Sequence, residues 1–174
     1  MLQMSYTFKE MTKEAAVIIS QWEYPSPYNF YNMDPDEEGL AELMNGDYFC
    51  VTDGTGHIAG FFCFGLSARV PGGYAAGFYT DEQRLDIGLG MNPALTGQGL
   101  GSEFVQEGLK WLQRQHGQST FRLVVASFNE RARRVYAENG FVPRGTVFSK
   151  INGEEVEFLY MEADLSRFDV ESAF

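Results

Sequence analysis

The stretch Met91-Asn92-Pro93-Ala94-Leu95-Thr96-Gly97-Gln98-Gly99-Leu100-Gly101-Ser102 has the residue types of an anion-binding turn. A strand pattern ends at Met91, Pro93 breaks it, and three alternate glycines precede an amphipathic helical run. Glycine lets the backbone turn sharply and lets a ligand approach where a Cβ would stand. The first N–H groups of a helix have no partner within it, and the helix dipole favours negative charge above them. A pyrophosphate suits such a turn. The same residues would also build a purely structural turn, and this stretch alone leaves both readings open. It is not a P-loop, because no Gly-Lys-Ser/Thr follows. Its spacing and its place past the middle of the chain do not suit a dinucleotide fingerprint.

A second stretch lies downstream: Asn129-Glu130-Arg131-Ala132-Arg133-Arg134-Val135-Tyr136-Ala137-Glu138-Asn139-Gly140-Phe141. It reads as one short helix after a buried strand, with Asn129 and Tyr136 on a shared face. The two stretches together resemble the GNAT superfamily of N-acetyltransferases. Gly97-Gln98-Gly99-Leu100-Gly101 is similar to the family's acetyl-CoA pyrophosphate loop, Q/R-x-x-G-x-G/A. Thr96 stands at the first position, where Arg or Gln is usual; the backbone cradle needs only the glycines and the helix start. Asn129, Tyr136 and Gly140-Phe141 resemble the second motif. The resemblance covers roughly residues 48–165.

The resemblance implies roles. Gly97, Gln98, Gly99, Leu100, Gly101 and Ser102 would hold the pyrophosphate, and Asn129 the pantetheine arm. Main-chain groups of Leu89 and Met91 would pair with that arm as an added strand does. Tyr136 would donate a proton or hydrogen bond to the departing sulfur. Arg131, Arg133 and Arg134 would reach phosphates or form a solvated helix face. The reaction implied is direct attack of an amine on acetyl-CoA in a ternary complex. The rival reading is a non-catalytic acetyl-CoA sensor or interaction module. The acceptor is a small-molecule amine or a peptide N-terminus or lysine; its identity, longer acyl donors and the oligomeric state stay open.

The amine must lose a proton, and Asp86 is the candidate base. On Leu85-Asp86-Ile87-Gly88-Leu89-Gly90-Met91 the apolar residues are odd-numbered, so Asp86, Gly88 and Gly90 share a nearly bare face. The alternative is an Asp paired with Arg84, and a β-bulge would redirect the side chain. Glu23, Glu82 and a water-mediated base are the other candidates. The aromatic run Trp22–Tyr31 would border the acceptor site or be pinned to the core by its rings. Cys50, Cys63, His57 and His116 show no pattern of an activated nucleophile, and no metal cluster is visible in the sequence.

The elements that position these residues follow from local signals. Tyr6–Met11 reads as a strand. Thr12 caps a helix to Trp22, and Asp34 caps a second with Pro35 at its first position. Residues 48–52 and 58–64 form a hairpin, 65–84 a long irregular segment, and 85–91 a strand. Helix 99–115, the apolar strand 121–126 and helix 129–139 follow, then a hairpin about Asn152-Gly153. The expected fold is α/β: a mixed, mostly antiparallel sheet of six to seven strands with about four helices on its faces, GNAT-like, over residues 1–165. A loose tail is expected at 166–174.

The chain has 174 residues, enough for one sizeable core. Its charge, 13 − 24 = −11, argues against nucleic acid and against anionic membranes. It weakly favours a cationic acceptor. Two cysteines in apolar runs and no basic-then-apolar start suit a cytoplasmic protein.

Overall fold

A computed structural model describes residues 5–166. Seven strands form one sheet: β1 (Thr7–Glu10), β2 (Tyr48–Thr52), β3 (Ile58–Phe64), β4 (Leu85–Met91), β5 (Thr120–Ala126), β6 (Val142–Ile151) and β7 (Glu154–Asp164). Their order is β1-β2-β3-β4-β5-β7-β6, antiparallel throughout except at β4–β5. Five α-helices cover it: α1 (Lys13–Ser20), α2 (Glu37–Leu43), α3 (Pro71–Ala75), α4 (Gly101–His116) and α5 (Glu130–Glu138). The expected α/β class and mostly antiparallel sheet are present.

Local chemistry explains most boundaries. Thr12 caps α1 by accepting from the Ala15 N–H at 3.1 Å. Asp53 Oδ1 accepts from the Thr55 and His57 amides and so folds the β2–β3 turn. Asn152 and Gly153 both take positive φ, as a two-residue β6–β7 turn demands. Helix α2 departs from expectation. Asp36, not Asp34, is its N-cap, accepting from Gly39 N–H at 3.0 Å. The chain before it folds back so closely that any Cβ on Gly39 would collide with the Asp34 carbonyl.

The segment 65–84 also holds more structure than its composition suggests. Pro71 starts α3 despite Gly72 and Gly73, and the Gly72 N–H is held by Ser149 Oγ of β6 at 2.9 Å. That anchor is tertiary, so local propensity does not show it.

The two sheet faces carry different cores. Phe104, Val105, Leu109 and Leu112 of α4 pack on Phe49, Phe62, Ile87 and Leu123. On the opposite face Ala16, Ile19 and Leu43 pack with Tyr48 and Cys63. Of the expected tail, only Ser166 lies within the described residues. No helix among them is long and apolar enough to cross a membrane.

Candidate active site

The parallel join at the centre of the sheet is short. β4 and β5 pair only at Leu85–Phe121 and Asp86–Arg122, yet they run on to Met91 and Ala126. Beyond that join the strands part and leave a gap in mid-sheet. Asn92 donates its N–H to Ala59 O at 2.8 Å, towards β3. Main-chain groups alternate sides along a strand. Leu89 and Met91 therefore turn theirs towards the gap. The Tyr24 hydroxyl donates to the Met91 carbonyl at 2.7 Å from that side, which leaves the Met91 N–H facing the gap.

Above the gap the chain turns into α4. Gly97 and Gly99 have φ of 74° and 77°, a region L side chains rarely adopt. From Gly97 through Glu103 no main-chain N–H has a hydrogen-bond acceptor among the described residues. These amides are therefore left open at the start of α4, where the glycine spacing predicts an anion-binding turn. Gly101 serves a different end: a Cβ there would approach Val135 Cγ2 to 3.2 Å, so its smallness sets the closeness of α4 to α5. The side chains of Thr96 and Gln98 bond back to Pro93 O and Ala94 O. Of the two, Gln98 leaves its main-chain N–H open, whereas the Thr96 N–H donates to Pro93 O at 3.4 Å.

Helix α5 closes the other side. Asn129 caps it, accepting from Ala132 N–H at 3.2 Å, and its Nδ2 lies 3.4 Å from the Tyr31 hydroxyl. Arg131 stacks over Tyr28, with its guanidinium carbon 5.3 Å from the ring centre, and reaches to Gly97. Arg134 lines the cavity, whereas Arg133 donates to Ser127 O at 2.8 Å. Tyr136 is buried against Phe141 and lines the same cavity as Asn129, Leu89 and Met91. Burial pushes its phenol well above the ordinary tyrosine range, with Tyr31 and Cys63 adding to the effect. Its hydroxyl makes no hydrogen bond among the described residues and holds its proton at neutral pH.

The cavity has a volume of about 730 Å³, within the range of sites for small organic ligands. The model of the GNAT acetyltransferase family matches residues 15–141. The chain belongs to the GNAT acetyltransferase family.

Solved GNAT structures share the fold. A spermidine N-acetyltransferase chimera from Vibrio cholerae and hSSAT superposes with a TM-score of 0.71 at 18% identity, covering 94% of this chain and 97% of the other. The Vibrio cholerae spermidine N-acetyltransferase in complex with CoA and spermine gives 0.69 at 19%, covering 94% and 97%. A putative phosphinothricin N-acetyltransferase gives 0.67 at 19%, covering 93% and 99%. No curated protein sequence gives a significant match.

In this GNAT domain Asp86 does not sit as a base should. Its side chain is on the same face as Gly88 and Gly90, but it is 4% exposed and does not line the cavity. Arg122 holds both of its oxygens, through Nε to Oδ1 and through Nη2 to Oδ2 at 2.9 Å. Arg69 Nε donates to Oδ2 at 2.7 Å. The expected partner, Arg84, pairs instead with Glu162 and Asp81. A carboxylate held by two guanidiniums and shut off from the cavity is badly placed to take a proton from an amine. The glycine face is also not bare: a Cβ on Gly88 would approach Cys63 Sγ to 2.8 Å, and one on Gly90 would strike the Phe61 ring. Glu23 and Glu82 are exposed and do not line the cavity.

The aromatic loop is pinned by its rings and also lines the cavity. Phe30 packs on Phe128 and Phe158 at 5.7 and 6.5 Å between ring centres, while Tyr24, Tyr28 and Tyr31 line the cavity. Arg69 and Arg122 were missed from sequence. Arg122 interrupts the apolar run Phe121–Ala126, and a cation at that position was the available signal.

Proposed function

We propose that the protein moves an acetyl group from acetyl-CoA to a primary amine by direct attack in a ternary complex. The observation that carries this reading is the mid-sheet gap, with unpaired amides at one end and a protonated Tyr136 inside. The amides of residues 97–103 would hold the pyrophosphate, with Arg131 and Arg134 beside it. Leu89, the Met91 N–H and Asn129 would hold the pantetheine arm. Acetyl-CoA supplies an activated thioester, and the residues of this chain position it, exclude water and manage protons. The amine nitrogen forms the new bond to the acetyl carbon as the carbon–sulfur bond breaks. The ammonium form of the amine first gives one proton to water; after attack Tyr136, having given its proton to the sulfur, recovers one from the nitrogen, and the amide keeps its last N–H. That water route takes the place of Asp86. Two buried, unpaired thiols suit a reducing, cytoplasmic setting.

Acetyl-CoA is expected to raise the melting temperature, because it binds the native state alone. At about 100 times Kd the stabilisation is about 2.7 kcal/mol. Gly99→Val should abolish that shift at the same concentration, because valine strains φ at 77° and turns the cradle amides. Wild-type affinity in this variant would place the phosphates elsewhere.

Cys63 lines the cavity but is a poor nucleophile there. Burial pushes its thiol up to about 12, so it stays protonated at neutral pH. Cys63→Ala should keep turnover within about fivefold of wild type, well short of the loss expected for a missing nucleophile. Intact-mass measurement after brief exposure to acetyl-CoA should show no acetylated enzyme. A stable acetyl adduct lost in Cys63→Ala would overturn direct attack.

A further inference from the structure

The acceptor end of the cavity has an unexpected charge. Its walls are Tyr24, Tyr28 and Tyr31 from the loop after α1, with Ser67, Arg69 and Val70 from the segment after β3. Among the described residues that line the whole cavity, the one carboxylate is Glu138, which sits on the last turn of α5 near α4. The charged side chain on the acceptor walls is a cation, in a protein whose net charge is −11.

The charges around Arg69 do not cancel. Asp86 is shared between two guanidiniums, and Arg122 takes both of its oxygens. The next carboxylate on that face, Glu162, is held by Arg84 and Arg144. One positive charge is left over, and Arg69 is the member of the cluster that lines the cavity. Arg69 is also fixed in place. Its Nε is tied to Asp86, and its guanidinium carbon lies over the Tyr79 ring at 4.7 Å. The Nη groups have no carboxylate or carbonyl partner among the described residues; the Tyr74 hydroxyl interacts with the guanidinium, and its ring centre lies 5.6 Å from the guanidinium carbon. A planar guanidinium held by Nε and stacked on a ring presents its two Nη groups as a fork, the geometry that binds a carboxylate through two parallel hydrogen bonds.

We propose that the acceptor is a small amine that also carries a carboxylate, and that Arg69 binds this carboxylate while the amine faces the acetyl group. This rests on the acetyltransferase reading and names the substrate class of the same site. A polycationic acceptor would bring its charge against Arg69 with no acidic side chain on the acceptor walls to receive it. Asp86 then has a positioning part: it aims the Arg69 fork and does not touch the substrate.

The test is a panel of amines assayed by thiol release with acetyl-CoA. Each amino carboxylate is paired with its own carboxamide, an aminophosphonate tests a different oxyanion, and spermidine is the polycation. The amino carboxylates are expected to exceed their carboxamides in kcat/KM by about 10–100-fold, the scale of hydrogen bonding to a charged group. Arg69→Met should erase that ratio and leave the acetyl-CoA melting shift intact. The variant should fold, because Asp86 and Arg122 remain as a one-to-one pair. Arg69→Lys, which keeps the charge without the fork, should fall between. Preference for spermidine or for the carboxamides overturns the proposal, as does a carboxylate preference that survives in Arg69→Met. A phosphonate preferred over every carboxylate overturns the choice of carboxylate. Calorimetry of an amino carboxylate on CoA-saturated protein gives an answer independent of turnover. If no amine is acetylated, the transferase reading fails, and the binding difference between wild type and Arg69→Met still decides whether Arg69 reads an acid.

Discussion

Tyr136→Phe is expected to lower kcat by about 100-fold and to leave acetyl-CoA affinity nearly unchanged. The substitution removes one oxygen and keeps the ring that packs on Phe141, so the fold should survive. The hydroxyl has no hydrogen-bond partner among the described residues, and burial keeps it protonated. It is thus available to a group that becomes negative only during reaction. An interaction made mainly in the transition state changes kcat rather than ground-state binding. General acid assistance is worth about 10²–10⁴-fold, and a thiolate, already a fair leaving group, places this case at the low end. Calorimetry for binding and thiol release for rate, on one preparation, separate the two quantities. An unchanged rate would reduce Tyr136 to a packing residue. The rate ratio should also stay flat across neutral pH, because the phenol does not titrate there.

Asp86→Asn is expected to cost about 3–5 kcal/mol of stability, the usual scale for breaking a buried ion pair by removing one partner. For a chain of this size that corresponds to a fall in Tm of roughly 6–20 °C. The reason is Arg122, which is fully buried and would be left beside Arg69 with no counter-charge. Removing both charges of the pair, as in Asp86→Leu with Arg122→Met, should restore much of the loss, since the cost lies in the unpaired charge. Any loss of turnover in Asp86→Asn should be the same at pH 7 and pH 9. A loss concentrated at neutral pH, with Tm unchanged, would instead return Asp86 to the role of base.

The contrast between these two residues shows what the sequence can and cannot reveal. Tyr136 stood out by its place in a family-like motif, and the Asn129 cap and the turn through Gly97 and Gly99 were legible because each is set by residues close along the chain. Thr12 and the Asn152-Gly153 turn were legible for the same reason. The ion pair of Asp86 was not legible, because its partner Arg122 is 36 residues away on a different strand. Period-two alternation assigned the correct face but could not say what covers that face. Helix α3 went unseen because Gly72 and Gly73 are poor helix formers and Ser149 holds the segment from β6. At α2 two local rules competed: Pro35 suggested a first helical position, but Asp36 took the cap.

The short join between β4 and β5 divides the hydrogen-bond ladder of the sheet into two panels. β1–β4 form one panel and β5–β7 the other; along the ladder two residue pairs and the Asp86–Arg122 ion pair join them at one end, while α4 packs across both. On the proposed function, a ligand arm lying in the gap stitches the open part of that seam. Loading would then stiffen the whole sheet, and release would slacken it. Each catalytic cycle becomes a closing and reopening of the protein's own backbone ladder, and the departure of the spent donor requires its stitches to be undone.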